Sequence, residues 1–209
     1  HAMNELGNLL AYTPSIKNPS EARKWWARSA DLKNSYGLML LGVAFEGGIG
    51  GEKSAEKAFE LYSQSAKLGS LDGIRALGVT YRDGIGTVKD ATRAFENFQK
   101  ATDLGDVESY GFLATAHING QGTAKNPIKG VELYQAAVER GNASAMVSLG
   151  YLYETGKVVR TDKAKAFDLY SQAANAGNIG GMRNLAFAYR DGDGVKRDFR
   201  KAAEWFERA

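Results

Sequence analysis

LDGIRALGVTYRDGIGTVKDATRAFENFQKATDLGD, residues 71–106, is one period of a pattern that returns every 36 residues without insertion. Its Leu77-Gly78 pair comes back as Leu41-Gly42, Leu113-Ala114, Leu149-Gly150 and Leu185-Ala186. Tyr81 comes back as Phe45, His117, Tyr153 and Tyr189, and Gly84 as Gly48, Gly120, Gly156 and Gly192. A fixed period of this length marks an array in which no unit buries its apolar face alone, so each must stack on its neighbours.

Within the period, Ile74, Leu77, Gly78 and Tyr81 fall at the i, i+3, i+4, i+7 spacing of one helical face. This is helix A. Small residues at Gly78 and Gly73, and at their counterparts, predict close approach by another helix at some cost in helix propensity. Gly84 predicts a left-handed C-terminal stop, followed by a Gly-x-Gly turn that only the fourth repeat (Gly156-Lys157-Val158) breaks. Helix B then starts at a capping residue, Ser54, Asp90, Asn126, Asp162 or Asp198, with Pro127 suited to the first helical place. Its stripe is Ala94, Phe98, Ala101 and Thr102, and it closes near Gly105, as others do at Gly69, Gly141 and Gly177. Ser70, Asp106, Asn142 and Asn178 cap the helix A that follows.

Upstream, Asn18-Pro19 mirrors Asn126-Pro127, and Asn34 caps the first complete unit. Leu6-Gly7 sits one residue out of register, which predicts a shortened loop in a partial first repeat. The expected organisation is one repeat domain over 1–209: a degenerate repeat at 1–34, full repeats at 35–70, 71–106, 107–142 and 143–178, and an incomplete one at 179–209. Trp205 and Phe206 lie on the face that a further helix would cover, so the expectation is either a trimmed chain or a face that meets a partner or another copy.

The hydrophobic share of 44% and charged share of 24% are those of an ordinary soluble protein and exclude disorder. The net charge of +3 is spread among mixed signs, without the basic stripe expected of a nucleic-acid binder. With no cysteine, disulfides and thiolate chemistry are excluded. No run of apolar residues is long enough to span a membrane, and no signal peptide precedes the array. His1-Ala2 ahead of Met3 reads as a cloning remnant, which leaves room for a leader removed beforehand. The expected location is periplasmic, otherwise cytoplasmic.

The pattern Leu-Gly-x-x-Tyr-x-x-Gly-x-Gly, an Asp four residues on, then Lys-Ala and an aromatic pair, resembles the Sel-1-like repeat, a relative of the tetratricopeptide repeat. Tyr189–Phe206 (YRDGDGVKRDFRKAAEWF) carries it best. The resemblance implies an all-α, right-handed superhelical solenoid, with helix A on the concave side and helix B on the convex. It also implies a non-enzymatic protein-binding role without cofactor, such as an immunity protein that neutralises a type VI secretion lipase or other toxin. A rival implied by cysteine-rich members is a hydrolase of β-lactam or cell-wall compounds; this chain has none of their cysteines. A third reading is an oligomeric scaffold joined through the C-terminal face.

Catalytic parts are scarce in the sequence itself. His117 occupies the aromatic place of its repeat, where a packed ring is expected, and no Cys or second native His accompanies it. Gly47–Ser54 (GGIGGEKS) resembles a phosphate loop but follows a helix and has Glu52 where Gly should precede Lys-Ser. Asp191-Gly192-Asp193-Gly194 resembles a calcium loop whose twelfth ligand would be Ala202. No catalytic, cofactor or metal residue is therefore assigned.

Binding is expected where repeats depart from consensus, on helix A places facing away from the core stripe. These candidates are Tyr36, Met39, Arg75, Arg82, Val147, Tyr151, Arg183, Phe187 and Arg190. Rings, methionine and guanidinium groups are enriched at protein interfaces because they give much contact per ordered torsion. The expected partner is another protein, with no nucleic acid or membrane span.

Overall fold

The computed structural model describes residues 1–209 as twelve α-helices and no strand. The helices group into two units, His1–Asp106 and Val107–Ala209. The first holds α1 (Ala2–Tyr12), α2 (Pro19–Asp31), α3 (Ser35–Gly47), α4 (Ala55–Lys67), α5 (Leu71–Asp83) and α6 (Ala91–Asp103). The second holds α7 (Val107–Asn119), α8 (Pro127–Glu139), α9 (Ala143–Thr155), α10 (Lys163–Asn175), α11 (Ile179–Asp191) and α12 (Phe199–Arg208). Odd-numbered helices are type A, even-numbered ones type B, and each unit is three A–B hairpins in series.

The boundaries follow from local chemistry. Asn18, Ser54, Asp90, Asn126 and Asp162 each accept the amide three residues on, and Asp198 accepts two amides, so every B helix starts with orphan donors satisfied. Asn34, Ser70, Asn142 and Asn178 do the same for α3, α5, α9 and α11. Those four helices end on a left-handed glycine, Gly48, Gly84, Gly156 or Gly192. The first hairpin has no such glycine; a 3-10 turn at Pro14–Ile16 makes a connection one residue shorter.

Four hairpins close on an aromatic ring from helix B pressed against a glycine of helix A. A Cβ on Gly7 would lie 2.3 Å from Trp26, on Gly42 2.6 Å from Tyr62, and on Gly78 and Gly150 2.7 Å from Phe98 and Tyr170. The fourth hairpin, α7–α8, reverses the arrangement. Helix A carries Ala114 there, and Gly130 on helix B takes the close contact instead, where a Cβ would meet the Ala114 carbonyl at 2.7 Å. The second Gly of the turn locks one hairpin to the next: a Cβ on Gly50, Gly86 or Gly194 would lie 2.0–2.1 Å from the carbonyl oxygen of Pro19, Ala55 or Lys163. The fifth hairpin, α9–α10, does without this glycine, and Val158 and Val159 pack against the apolar core around Leu149.

Phe206 holds the ring place of the last hairpin but is 40% exposed, against 0% for Trp26 and 2% for Tyr170. Trp205, expected to be uncovered beside it, is half-buried against the Tyr170–Leu185 cluster, because α12 folds back on α11.

Candidate functional site

Within the first unit α1 packs on α3 and α3 on α5, and within the second α9 packs on α11, while successive B helices stand further apart. A stack closer on its A side presents the A helices on the inside of its bend. The sequence-derived binding residues on those helices divide into three groups.

Tyr36, Met39 and Val147 do not stand free. Tyr36 and Met39 are half-buried against the core around Trp26 and Leu41, and Val147 bridges the clusters around Leu149 and Tyr170. The buried arc of helix A is wider than one stripe, because helix B covers one side and the adjacent A helix covers another.

Arg75, Arg82 and Arg190 are held in ion pairs. Arg75, mostly buried, donates from Nη2 to Asp72 (2.6 Å) and from Nη1 to Asp106. Arg82 and Arg190 fork onto Asp83 and Asp191 at 2.6–2.8 Å, and the guanidinium of Arg82 holds the Asp83 carboxyl below its ordinary range. Arg190 also lies 4.8 Å from the centre of the Phe187 ring.

Tyr151, Arg183 and Phe187 are exposed, Tyr151 to 46% and Phe187 to 37%. All three lie on α9 and α11. A hollow of about 390 Å³ brings Val147 and Tyr151 together with Thr115, Tyr134 and Asn184. Phe206 meets Phe187 edge to face at 5.1 Å, so the apolar surface continues onto α12.

Two regularities escaped the sequence reading. Tyr62 donates to Glu46 (2.7 Å) and Tyr170 to Glu154 (2.8 Å), whereas repeats with Arg82 or Arg190 at the carboxylate's place carry Phe98 or Phe206, with no hydroxyl to place. Burial pushes both phenol pKa values up, and the neighbouring carboxylates add to the effect. The second regularity is a cation from helix B over the aromatic place of helix A: Lys57 on Phe45, Arg93 on Tyr81, Lys165 on Tyr153 and Lys201 on Tyr189. Phe59 and Phe167, from the preceding B helices, meet Tyr81 and Tyr189 edge-on at 5.4 and 5.3 Å. The recurrence of Lys or Arg at 57, 93, 129, 165 and 201 was the available signal. These rings serve stacking, and half-buried His117 stands in the same place.

No three His, Cys, Asp or Glu side chains are placed to hold a metal ion, and no helix is long and apolar enough to cross a membrane.

Serial A–B hairpins with this glycine and ring chemistry define a helical-repeat protein. The Sel1 repeat matches residues 1–34, 35–70, 71–106, 107–142, 143–178 and 180–209, and the chain belongs to the Sel1 repeat family. Among solved structures it is similar to a Sel1 repeat protein from Oxalobacter formigenes, with 26% identity over 99% of this chain and 83% of that one and a TM-score of 0.89. It is also similar to c5321, a protective antigen of uropathogenic Escherichia coli, with 26% identity over 99% of this chain and 44% of that one and a TM-score of 0.77. The fold is shared with the immunity protein Pa5087 from Pseudomonas aeruginosa, with 20% identity, 99% and 79% coverage and a TM-score of 0.73. No match was found among curated protein sequences.

Proposed function

We propose that this chain is a non-enzymatic binding protein that grips another protein through its A helices, above all α9 and α11, and thereby regulates or neutralises it. One observation carries the reading: Tyr151 and Phe187 remain exposed where consensus packing does not need them, Phe187 beside the Arg190 guanidinium and Tyr151 beside the Lys157 ammonium. Exposed rings beside guanidinium groups are the usual anchors of a protein interface. An immunity role, the neutralising of a toxic effector such as a secreted lipase, is the specific form we favour. It is prompted by the fold shared with the immunity protein Pa5087 from Pseudomonas aeruginosa.

The test is affinity capture from the source cell with wild type and with a Tyr151→Ala, Arg183→Ala variant. A partner bound by the first and lost by the second supports the reading; identical capture by both overturns it. Co-expression of the captured protein with and without this chain then tests neutralisation, and equal toxicity in both cultures rejects the immunity form.

A second reading rests on Phe206, whose exposure sets it apart from the equivalent rings. The end of α12 would meet a second copy. Light scattering that reports a monomer at all working concentrations rules this out.

A further inference from the structure

The net charge of +3 conceals an uneven distribution. In the second unit, the three turns that lead from an A helix into its B helix, residues 119–129, 155–165 and 191–201, hold ten Lys and Arg against four Asp, a net charge of +6. The rest of that unit is acidic, with four Lys and Arg against seven Asp and Glu. The turns three periods earlier, at 11–21, 47–57 and 83–93 of the first unit, hold five of each sign and are neutral.

The fold gathers the three basic turns onto one edge of the second unit. Val158 and Val159 of the middle turn pack against the same core cluster as Ile118, the residue just before the first turn. Lys163 reaches the third turn by donating to Asp193 (2.7 Å), and Gly194 is packed on the Lys163 carbonyl. All ten cations are exposed. Lys129 pairs with Glu132 at 3.6 Å and Lys163 with Asp193, whereas Lys125, Arg160, Lys196 and Arg200 belong to no ion pair.

The fold itself does not call for this charge. Like charges on one edge repel and oppose the compact state. The helix starts are already capped by Asn126, Asp162 and Asp198. Cations over helix A rings occur in both units, as Lys57 and Arg93 in the first and Lys165 and Lys201 in the second, so they do not make the difference.

The edge adjoins the exposed rings. Lys157, just past the end of α9, donates to the Tyr151 hydroxyl (3.3 Å), and Arg190, in the last turn of α11, lies 4.8 Å from the centre of the Phe187 ring. A partner seated on Tyr151 and Phe187 thus meets these cations at the rim of the same surface, where charge steers and orients an oppositely charged protein. The four Asp interleaved along the edge would set like charge against the closely spaced phosphates of a nucleic acid, whereas the carboxylates of a polypeptide can be placed to avoid them.

We propose that this edge is the electrostatic rim of the binding surface and selects a protein whose docking face is acidic. The proposal rests on the protein-binding reading above and adds the charge of the partner.

The test compares the full-length protein with an Arg160→Glu, Lys196→Glu, Arg200→Glu variant, which brings the edge to the neutrality of the first unit at three exposed side chains outside any ion pair. Its unfolding midpoint should equal or exceed that of wild type, because repulsion is relieved; a clear drop would assign the cations to the fold and overturn the proposal. Acetyl-hexaglutamate-amide added to isotope-labelled wild type should shift amides in 119–129, 155–165 and 191–201, less so as salt is raised. The hexaglutamine peptide should shift none, and the variant should lose the response. The protein captured as described above should associate with the variant roughly tenfold more slowly, or slower still. Shifts equally strong in the turns of the first unit, shifts unchanged in the variant, or no shifts with hexaglutamate would each overturn the proposal; in the last case, binding to a DNA duplex or to phosphatidylglycerol vesicles would give the edge to phosphate instead. Failure here is separable from failure of the broader reading. A partner lost by the Tyr151→Ala, Arg183→Ala variant but bound at an undiminished rate by the charge-reversed one leaves protein binding intact and removes the edge from it.

Discussion

At the scale of a residue, the same substitution has opposite expected outcomes at two glycines. A methyl on Gly78 would sit 2.7 Å from a nearly buried Phe98 ring. Overpacking of that kind costs about 1–3 kcal/mol, only partly offset by the roughly 1 kcal/mol of helix propensity gained. Gly78→Ala should therefore lower the urea midpoint. Gly111→Ala meets open space and should raise it by an amount equivalent to about 0.5–1 kcal/mol. A second prediction concerns Tyr62 and Tyr170, whose pKa values are raised by folding. The unfolded chain then releases these protons first, so the stabilisation is complete below the ordinary phenol pKa of about 10 and is lost as pH rises above it. Tyr62→Phe should cost about 1 kcal/mol near neutrality. Equilibrium unfolding should show that difference shrinking at alkaline pH.

For an element, stability depends on its ends as well as its faces. Asp162 accepts the Lys165 amide at 2.9 Å, and Asp162→Ala should destabilise the protein by about 1 kcal/mol in thermal unfolding. Gly86→Ala should cost more, about 1–3 kcal/mol, because it adds left-handed strain to a collision with the Ala55 carbonyl. Both features were legible in the sequence because they are local: a cap or a stop is decided by one side chain and the amides beside it. The binding face was less legible. Tyr36, Met39 and Val147 read as outward places on a single helix, yet they touch neighbouring helices that the spacing within one helix does not reveal. Arg75 read as available although Asp72, one of its two partners, stands three residues before it; the other, Asp106, lies 31 residues away. The open space beside Gly111, where an added Cβ would find nothing nearer than Tyr134 at 4.0 Å, was not legible at all, since a missing side chain becomes a gap only when the surrounding helices fail to fill it.

Over the whole molecule, the energetics should follow the connectivity of a repeat array, in which each hairpin is stabilised by the ones it touches. Ala202 is the single buried residue of α12, whereas α10 buries five. Amide exchange should accordingly be fastest in α12 and slow in α10; uniform protection of both would contradict that gradient. Fold class was the part of this picture most plainly written in the chain, because a 36-residue repetition constrains topology many times over. Function was not, because the repeated residues are those that hold hairpins together, and what distinguishes one repeat from another is a handful of single positions.

The transfer of the glycine from helix A to helix B in the fourth hairpin has a consequence for how this array can be rebuilt. Pairing α7 with a B helix patterned on α6 would set Ala114 against an alanine, the combination that α11 and α12 carry as Ala186 and Ala202, and pairing α5 with α8 would leave a glycine on both helices. The hairpin is thus the natural unit of exchange: recombination, natural or engineered, keeps each matched pair when it cuts after a B helix and changes one when it cuts between the partners.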